Sequence, residues 1–144
     1  RFSEFDKMDL FPLVQAFAEA RARGATDAHL LLAGAAQGSR TPELVRLWAQ
    51  LLGVSDRLHV HVDFPEEDKR PLPAAADVFV SPSDNVQETF GLSVVEAMAA
   101  GLPVLVSDFD GYRDTVVDGC GLRVRTRWAS DPAPLARYGT LLHE

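Results

Sequence analysis

Short apolar runs alternate with helical stretches along this chain. Leu13, Val14, Phe17 and Ala20 recur at helical spacing, which predicts a helix over 13–23 stopped at Gly24. Residues 29–33 form a brief continuous apolar run, the mark of a buried strand, and small residues follow from Gly34 to Ser39. A second helix is announced by Thr41, placed to cap it, Pro42 at its first position and Glu43 at the positive end of its dipole. It runs through Leu44, Leu47, Trp48 and Leu51 to a stop at Gly53. Strands are expected at 58–62, 77–81, 103–106 and 121–124, a helix at 92–100 ending on Gly101, and a short one at 112–117. The proline-broken stretch 65–73 reads as a loop with at most one helical turn, and 74–76 as a short helical piece. The tail from 126 onward, with Pro132 and Pro134, carries no assignable pattern, so the expected organisation is one domain over 1–125 and an unassigned segment over 126–144.

Strands alternating with helices imply βαβ units, and hence an α/β fold with a doubly wound, Rossmann-like parallel sheet. Ligands in such sheets sit in the crevice beyond the carboxyl ends of the strands, which singles out the loops after Ala33, Val62, Val80 and Val106. At 144 residues, 47% hydrophobic and 24% charged, the chain is long enough for one core and ordinary for a globular domain. The net charge of −7 argues against a nucleic-acid binder, which shows a basic face, but leaves room for a local phosphate site. No apolar run is long enough for a membrane span. Cys120 is the one cysteine, which excludes an intrachain disulfide and fits a reducing, cytoplasmic setting. Arg1 is not a methionine and opens a motif directly, so the sequence is expected to begin inside a larger protein.

The most informative stretch runs from Ser81 to Val104, from strand end through polar loop and helix to a glycine and the next strand. Gly91 stands where the helix begins and lets a ligand approach the backbone closely. The unpaired N–H groups of a helix's first turn favour an anion such as a diphosphate. Glu88 lies in the loop and Glu96 in the helix, eight residues apart, two carboxylates able to accept hydrogen bonds from hydroxyls on either side of a phosphate. A nucleotide-sugar has that layout. The plainer alternative is that Ser93-Val-Val-Glu96 is a capping box and Glu88 a solvated loop acid.

The combination Pro82-Ser83, Glu88-x-Phe90-Gly91-Leu92, Glu96-Ala97-Met98-Ala99, Gly101-x-Pro103-Val104 resembles the donor domain of the retaining GT-B glycosyltransferases, the group of glycogen synthases and bacterial mannosyltransferases with a Glu-x7-Glu motif. The resemblance extends over 1–124. It implies the C-terminal half of a GT-B fold lacking its first strand, and transfer of a sugar from a nucleotide-diphosphate sugar with retention. Residue by residue, Glu88 resembles the acid that holds the transferred sugar. Glu96 resembles the one that binds the ribose, and Phe90, Gly91, Leu92 and Ser93 the segment that meets sugar and phosphates. Arg1 and Lys7 resemble the Arg-x5-Lys pair that neutralises the diphosphate, with solvated surface cations as the alternative. Gly34 resembles the glycine that ends the fold's second strand. Two departures stand in the following loop, where Asp110 replaces a glycine and Asp114 a glutamate. The implied enzyme needs no cofactor or metal. Its acceptor, a saccharide or a lipid-linked group, belongs to an N-terminal domain absent here, the intact enzyme is a candidate for peripheral membrane association, and the piece alone is expected to be inactive.

Three rival readings compete. Asp108-Phe109-Asp110 has the Asp-x-Asp form that binds metal in other transferases, but a three-residue match is common by chance and here lies in a turn. His59-Val-His61-Val-Asp63 places two imidazoles and a carboxylate on one face of a strand, which would suit a zinc-dependent hydrolase, although neither His29 nor His143 has an evident reason to join. The last is a sugar-nucleotide-binding module without catalysis.

Overall fold

The computed structural model describes residues 2, 9–69, 71–83 and 90–126. Helix α1 (Leu10–Ala22) starts three residues before the apolar repeat suggested, because Asp9 caps it, its carboxylate accepting the Phe11 N–H at 3.0 Å. There follow β1 (Leu30–Gly34), α2 (Thr41–Leu51) and β2 (Leu58–Val62), then a single turn α3 (Glu66–Lys69) and a 3-10 turn over Pro73–Ala75. The second half comprises β3 (Phe79–Ser81), α4 (Leu92–Ala99), β4 (Val104–Ser107), α5 (Tyr112–Thr115) and β5 (Gly121–Val124).

The cap position expected at Thr41 is taken by Arg40, which makes no side-chain cap bond, and the N–H of Thr41 is held by Ser39. Its Oγ accepts the Thr41 N–H at 3.1 Å and lies 2.7 Å from Thr41 Oγ1, so Thr41 is the buried first residue of α2. The face that α2 buries is Thr41, Pro42, Val45 and Ala49. Leu47 and Leu51 point outward, the latter 71% exposed. Small residues at 45 and 49 let the helix axis approach the sheet, and that proximity outweighs the larger area two leucines would bury.

All strand pairs among the described residues are parallel. β1 pairs with β2 in the register Leu32↔Val60, while β3, β4 and β5 pair in that order through Phe79↔Val104↔Gly121. The described strands form two parallel sheets, because no described strand bonds to the outer edges of β1 and β3. Each sheet has its own core. Leu10 and Val14 of α1, Val45 and Ala49 of α2, and Leu32 of β1 form the first, joined by Phe2, whose N–H donates to the Ala35 carbonyl at 2.7 Å. Val94 and Ala97 of α4, Val104 and Val106 of β4, and Tyr112 and Val116 form the second. Side chains buried as fully as Val14, Val45 and Val94 each contribute roughly 1.5–3 kcal/mol. Parallel pairing sets all strand carboxyl ends of a sheet on one side, so Ser81, Ser107 and the start of α4 come to the same rim.

Candidate functional site

The rim of the second sheet is built around Gly91. It is the N-cap of α4, with φ 74° and ψ 54°, a left-handed conformation that a side chain disfavours. Its carbonyl accepts the N–H groups of Val94 and Val95 at 2.9 and 3.1 Å. No side chain caps α4. The capping-box alternative therefore does not form. Ser93 lies inside the helix, not at its cap, and Glu96 is an exposed residue on the second turn. Val94 and Ala97 face the core, so Ser93 and Glu96, three apart, share the open face. The positive end of α4 thus opens outward, uncapped, with a carboxylate one turn along the same face.

Tyr112, which sequence patterning marked only as the start of a short helix, is the buried centre of this corner, at 1% exposure. Its hydroxyl lies 2.8 Å from Ser81 Oγ at the end of β3. Its ring occupies the space where a Cβ on Gly91 would project, with Cδ1 2.8 Å from that position. The signal for it was faint: one aromatic residue directly after the Asp110-Gly111 turn.

Gly91 is buried at the corner, and Phe90, Leu92, Ser93 and Glu96 are exposed around it, Phe90 at 55% and Leu92 at 67%. Gly34 ends β1, pairs with Val62, and accepts the Asp63 N–H at 3.1 Å. Arg1, Lys7 and Glu88 lie outside the described residues.

The Asp-x-Asp segment is occupied structurally. Asp108 Oδ1 holds Arg113 Nε at 3.1 Å while the same guanidinium donates to the Asp108 carbonyl at 3.0 Å. Asp110 turns the chain at φ 38°.

The proposed zinc triad is contradicted by its carboxylate. Asp63 lies beyond the end of β2 at φ 51°, where strand alternation no longer applies, and its Oδ1 accepts the Ala36 N–H at 2.9 Å. It clasps the loop after β1 instead of facing the imidazoles. His61 packs edge-on against Phe64. His29 does join His59, with rings stacked at 5.1 Å and His29 Nδ1 2.8 Å from His59 Nε2. Arg57 Nη1 lies 2.8 Å from His29 Nε2, and because a guanidinium only donates, Nε2 accepts and Nδ1 carries the proton passed toward His59. Among the described residues no three His, Cys, Asp or Glu side chains converge as metal ligands. No helix among them is long and apolar enough to cross a membrane.

The family model described as "Glycosyl transferases group 1" matches residues 6–132. A D-inositol 3-phosphate glycosyltransferase of Nocardia farcinica is 38% identical over 83% of this chain and 27% of its own length. The protein of the same name in Geodermatophilus obscurus is 39% identical over 75% of the chain and 23% of its own. A phosphatidyl-myo-inositol mannosyltransferase of Mycobacterium tuberculosis is 39% identical over 49% of the chain and 19% of its own. The chain thus spans about a quarter of the curated relatives it matches over most of its length. Among solved structures, Anabaena HepE in complex with UDP and glucose superposes with a TM-score of 0.71 at 24% identity, covering 100% of this chain and 37% of that one. The GtfA/B complex gives 0.72 at 22% identity, covering 100% and 28%. At such identities the two structures establish the fold: the mixed α/β, parallel-stranded architecture is that of the Rossmann-like half of a GT-B glycosyltransferase.

Proposed function

The chain belongs to the group 1 glycosyl transferases, and from that premise we propose that it is the donor-binding half of an enzyme moving a sugar from a nucleotide-diphosphate sugar to an acceptor, with retention. The observation that carries this reading is the corner at Gly91: an uncapped helix start, opened by a left-handed glycine, with Glu96 exposed on the same face as Ser93. The N–H groups of Leu92 and Ser93 meet the diphosphate, and Glu96 accepts hydrogen bonds from the ribose. Glu88 grips the hydroxyls of the transferred sugar, while Arg1 and Lys7 neutralise the leaving group. Phe90 and Gly34 line the same donor site.

In the reaction, the bond between the anomeric carbon and the terminal phosphate oxygen breaks, and the acceptor hydroxyl oxygen bonds to that carbon on the same face. The hydroxyl proton passes to the departing diphosphate. The protein's part is to stabilise charge that grows on the leaving group, by cations and fixed amide dipoles in place of a metal ion. The acceptor and its binding domain belong to the rest of the protein. Because relatives carry names with inositol phosphate or phosphatidylinositol acceptors, inositol phosphates are the first acceptors to test, with phosphatidylinositol representing the lipid class.

The test uses the intact enzyme with UDP-, GDP- and ADP-sugars, reading nucleotide release, product anomer by NMR, and activity after EDTA. Release from one donor series, an unchanged anomeric configuration and persistence in EDTA are expected. Failure to bind or turn over any of these donors would overturn the reading, and an inverted product or chelator-sensitive turnover would overturn the corresponding part. Binding without turnover, even with acceptors supplied, would favour a non-catalytic sugar-nucleotide module.

A further inference from the structure

We propose that Tyr112 is a positioning residue for the diphosphate end of the donor site, an assignment that rests on the donor-binding reading above. At 1% exposure its side chain is too deeply enclosed to reach a ligand in the open crevice. What it touches, though, are the parts that aim the crevice. The hydroxyl meets Ser81 Oγ at 2.8 Å, at the last residue of β3. The ring lies against the Cα of Gly91, on the side where any other residue would carry its Cβ. Its backbone begins α5, held by the Phe109 carbonyl at 3.2 Å and holding the Val116 N–H at 3.0 Å. One buried side chain therefore joins the end of β3, the N-cap of α4 and the first turn of α5.

The consequence for ligand binding follows from the helix start. The N–H groups of Val94 and Val95 are taken by the Gly91 carbonyl, which leaves those of Leu92 and Ser93 as the forward pair. Their direction depends on the φ and ψ of Gly91, the most freely rotating kind of residue. Glycine permits the left-handed turn but does not hold it. The Tyr112 ring does so by filling the space into which the backbone would otherwise relax, and the hydroxyl anchors the ring to the strand. A leucine at 112 would supply neither the ring edge nor the anchor. A phenylalanine would keep the volume and leave Ser81 Oγ, buried at 3% residue exposure, without this partner. Anion recognition by fixed amides depends on their placement to within a fraction of an ångström, so loosening the anchor should be felt at the phosphates and not at the base.

The experiment uses the intact protein and calorimetry. Wild type is first titrated with UDP, GDP and ADP to find the nucleotide it binds. The matching diphosphate, monophosphate and nucleoside are then titrated into Tyr112→Phe, Ser81→Ala and the double variant. Each single variant should weaken the diphosphate about tenfold, the scale of one buried hydrogen bond, and leave the nucleoside within about twofold. The double variant should be no weaker than Tyr112→Phe, because Ser81→Ala removes only the contact that the two share. Ser81→Ala, a smaller change, keeps the question open to test if Tyr112→Phe does not fold. Equal weakening of diphosphate and nucleoside would show a general loss of structure and overturn the proposal, as would unchanged diphosphate affinity in both single variants. A wild type that binds none of the three diphosphates would instead remove the donor-binding reading, and this proposal with it.

Discussion

Gly91→Ala is the substitution that most directly probes how the corner is built. Two costs add. The left-handed conformation at φ 74° costs an L-residue about 1–2 kcal/mol. The new methyl would overlap Tyr112 Cε1 and sit 2.8 Å from Cδ1, and forcing a buried ring aside costs about 1–3 kcal/mol. Against these, alanine restricts the unfolded chain and returns about 0.4–1 kcal/mol. The net expectation is a loss of about 1–4 kcal/mol, a sizeable share of a domain's total of about 5–15 kcal/mol. The overlap is removable, since Tyr112→Leu withdraws the ring edge. In that background Gly91→Ala should cost only its backbone strain, about 1 kcal/mol after the unfolded-state offset. Denaturant unfolding of wild type, both single variants and the double variant in the intact protein measures this coupling. If Gly91→Ala costs the same in both backgrounds, the ring does not press on the N-cap as described. If it costs under about 0.5 kcal/mol in wild type, the left-handed turn is not under steric control at all.

Other outcomes follow from single contacts. A Cβ on Gly121 would collide with the Val104 carbonyl oxygen and approach Val104 Cγ2 to 2.5 Å, so Gly121→Ala should lower stability by more than about 2 kcal/mol. Gly119→Ala, which meets nothing within 4 Å, should cost about 1–2 kcal/mol from its left-handed φ alone, and denaturant midpoints compare the two. Asp63→Ala removes the acceptor of the Ala36 N–H and should cost about 1–3 kcal/mol, while elemental analysis should find no stoichiometric zinc in wild type or in His59→Gln. Glu88→Gln should lower turnover of the intact enzyme on the order of a hundredfold if that carboxylate aligns the sugar. Glu96→Gln should weaken nucleotide binding about tenfold while sparing protein stability, since Glu96 is exposed; wild-type kinetics in either variant would count against the assignment.

Much of the secondary structure was legible because its determinants are local. The strands at Leu58–Val62 and Gly121–Val124 match the apolar runs residue for residue, and the other strands are displaced by one or two. Helix α4 begins at Leu92 as the Phe-Gly-Leu motif suggests, and one turn and a 3-10 piece occupy the proline-broken stretch. Capping was less legible. At α2 the cap position falls on Arg40, one residue before the threonine expected there, and Ser39 Oγ takes the N–H of Thr41 itself. The Ser93–Glu96 pattern was a capping box by spacing only. A glycine in the left-handed region starts the helix two residues earlier and leaves both side chains outside.

What the sequence by itself determined is the α/β class, the positions of the helices and strands, and a motif dense enough to identify the family. Each of these depends on residues near one another in the chain, through periodicity, turn chemistry and spacing. What only the tertiary structure decided is which residues meet across the fold. Tyr112 reaches Ser81, 31 positions away, Asp63 turns back to Ala36, His29 stacks on His59, and α2 buries Val45 and Ala49 in place of Leu47 and Leu51. The physical reason is that burial and hydrogen bonding are settled by distance in space. Two apolar stripes on a helix look alike along the chain until a sheet approaches one of them, and a tyrosine becomes a structural anchor only when a glycine and a serine arrive beside it.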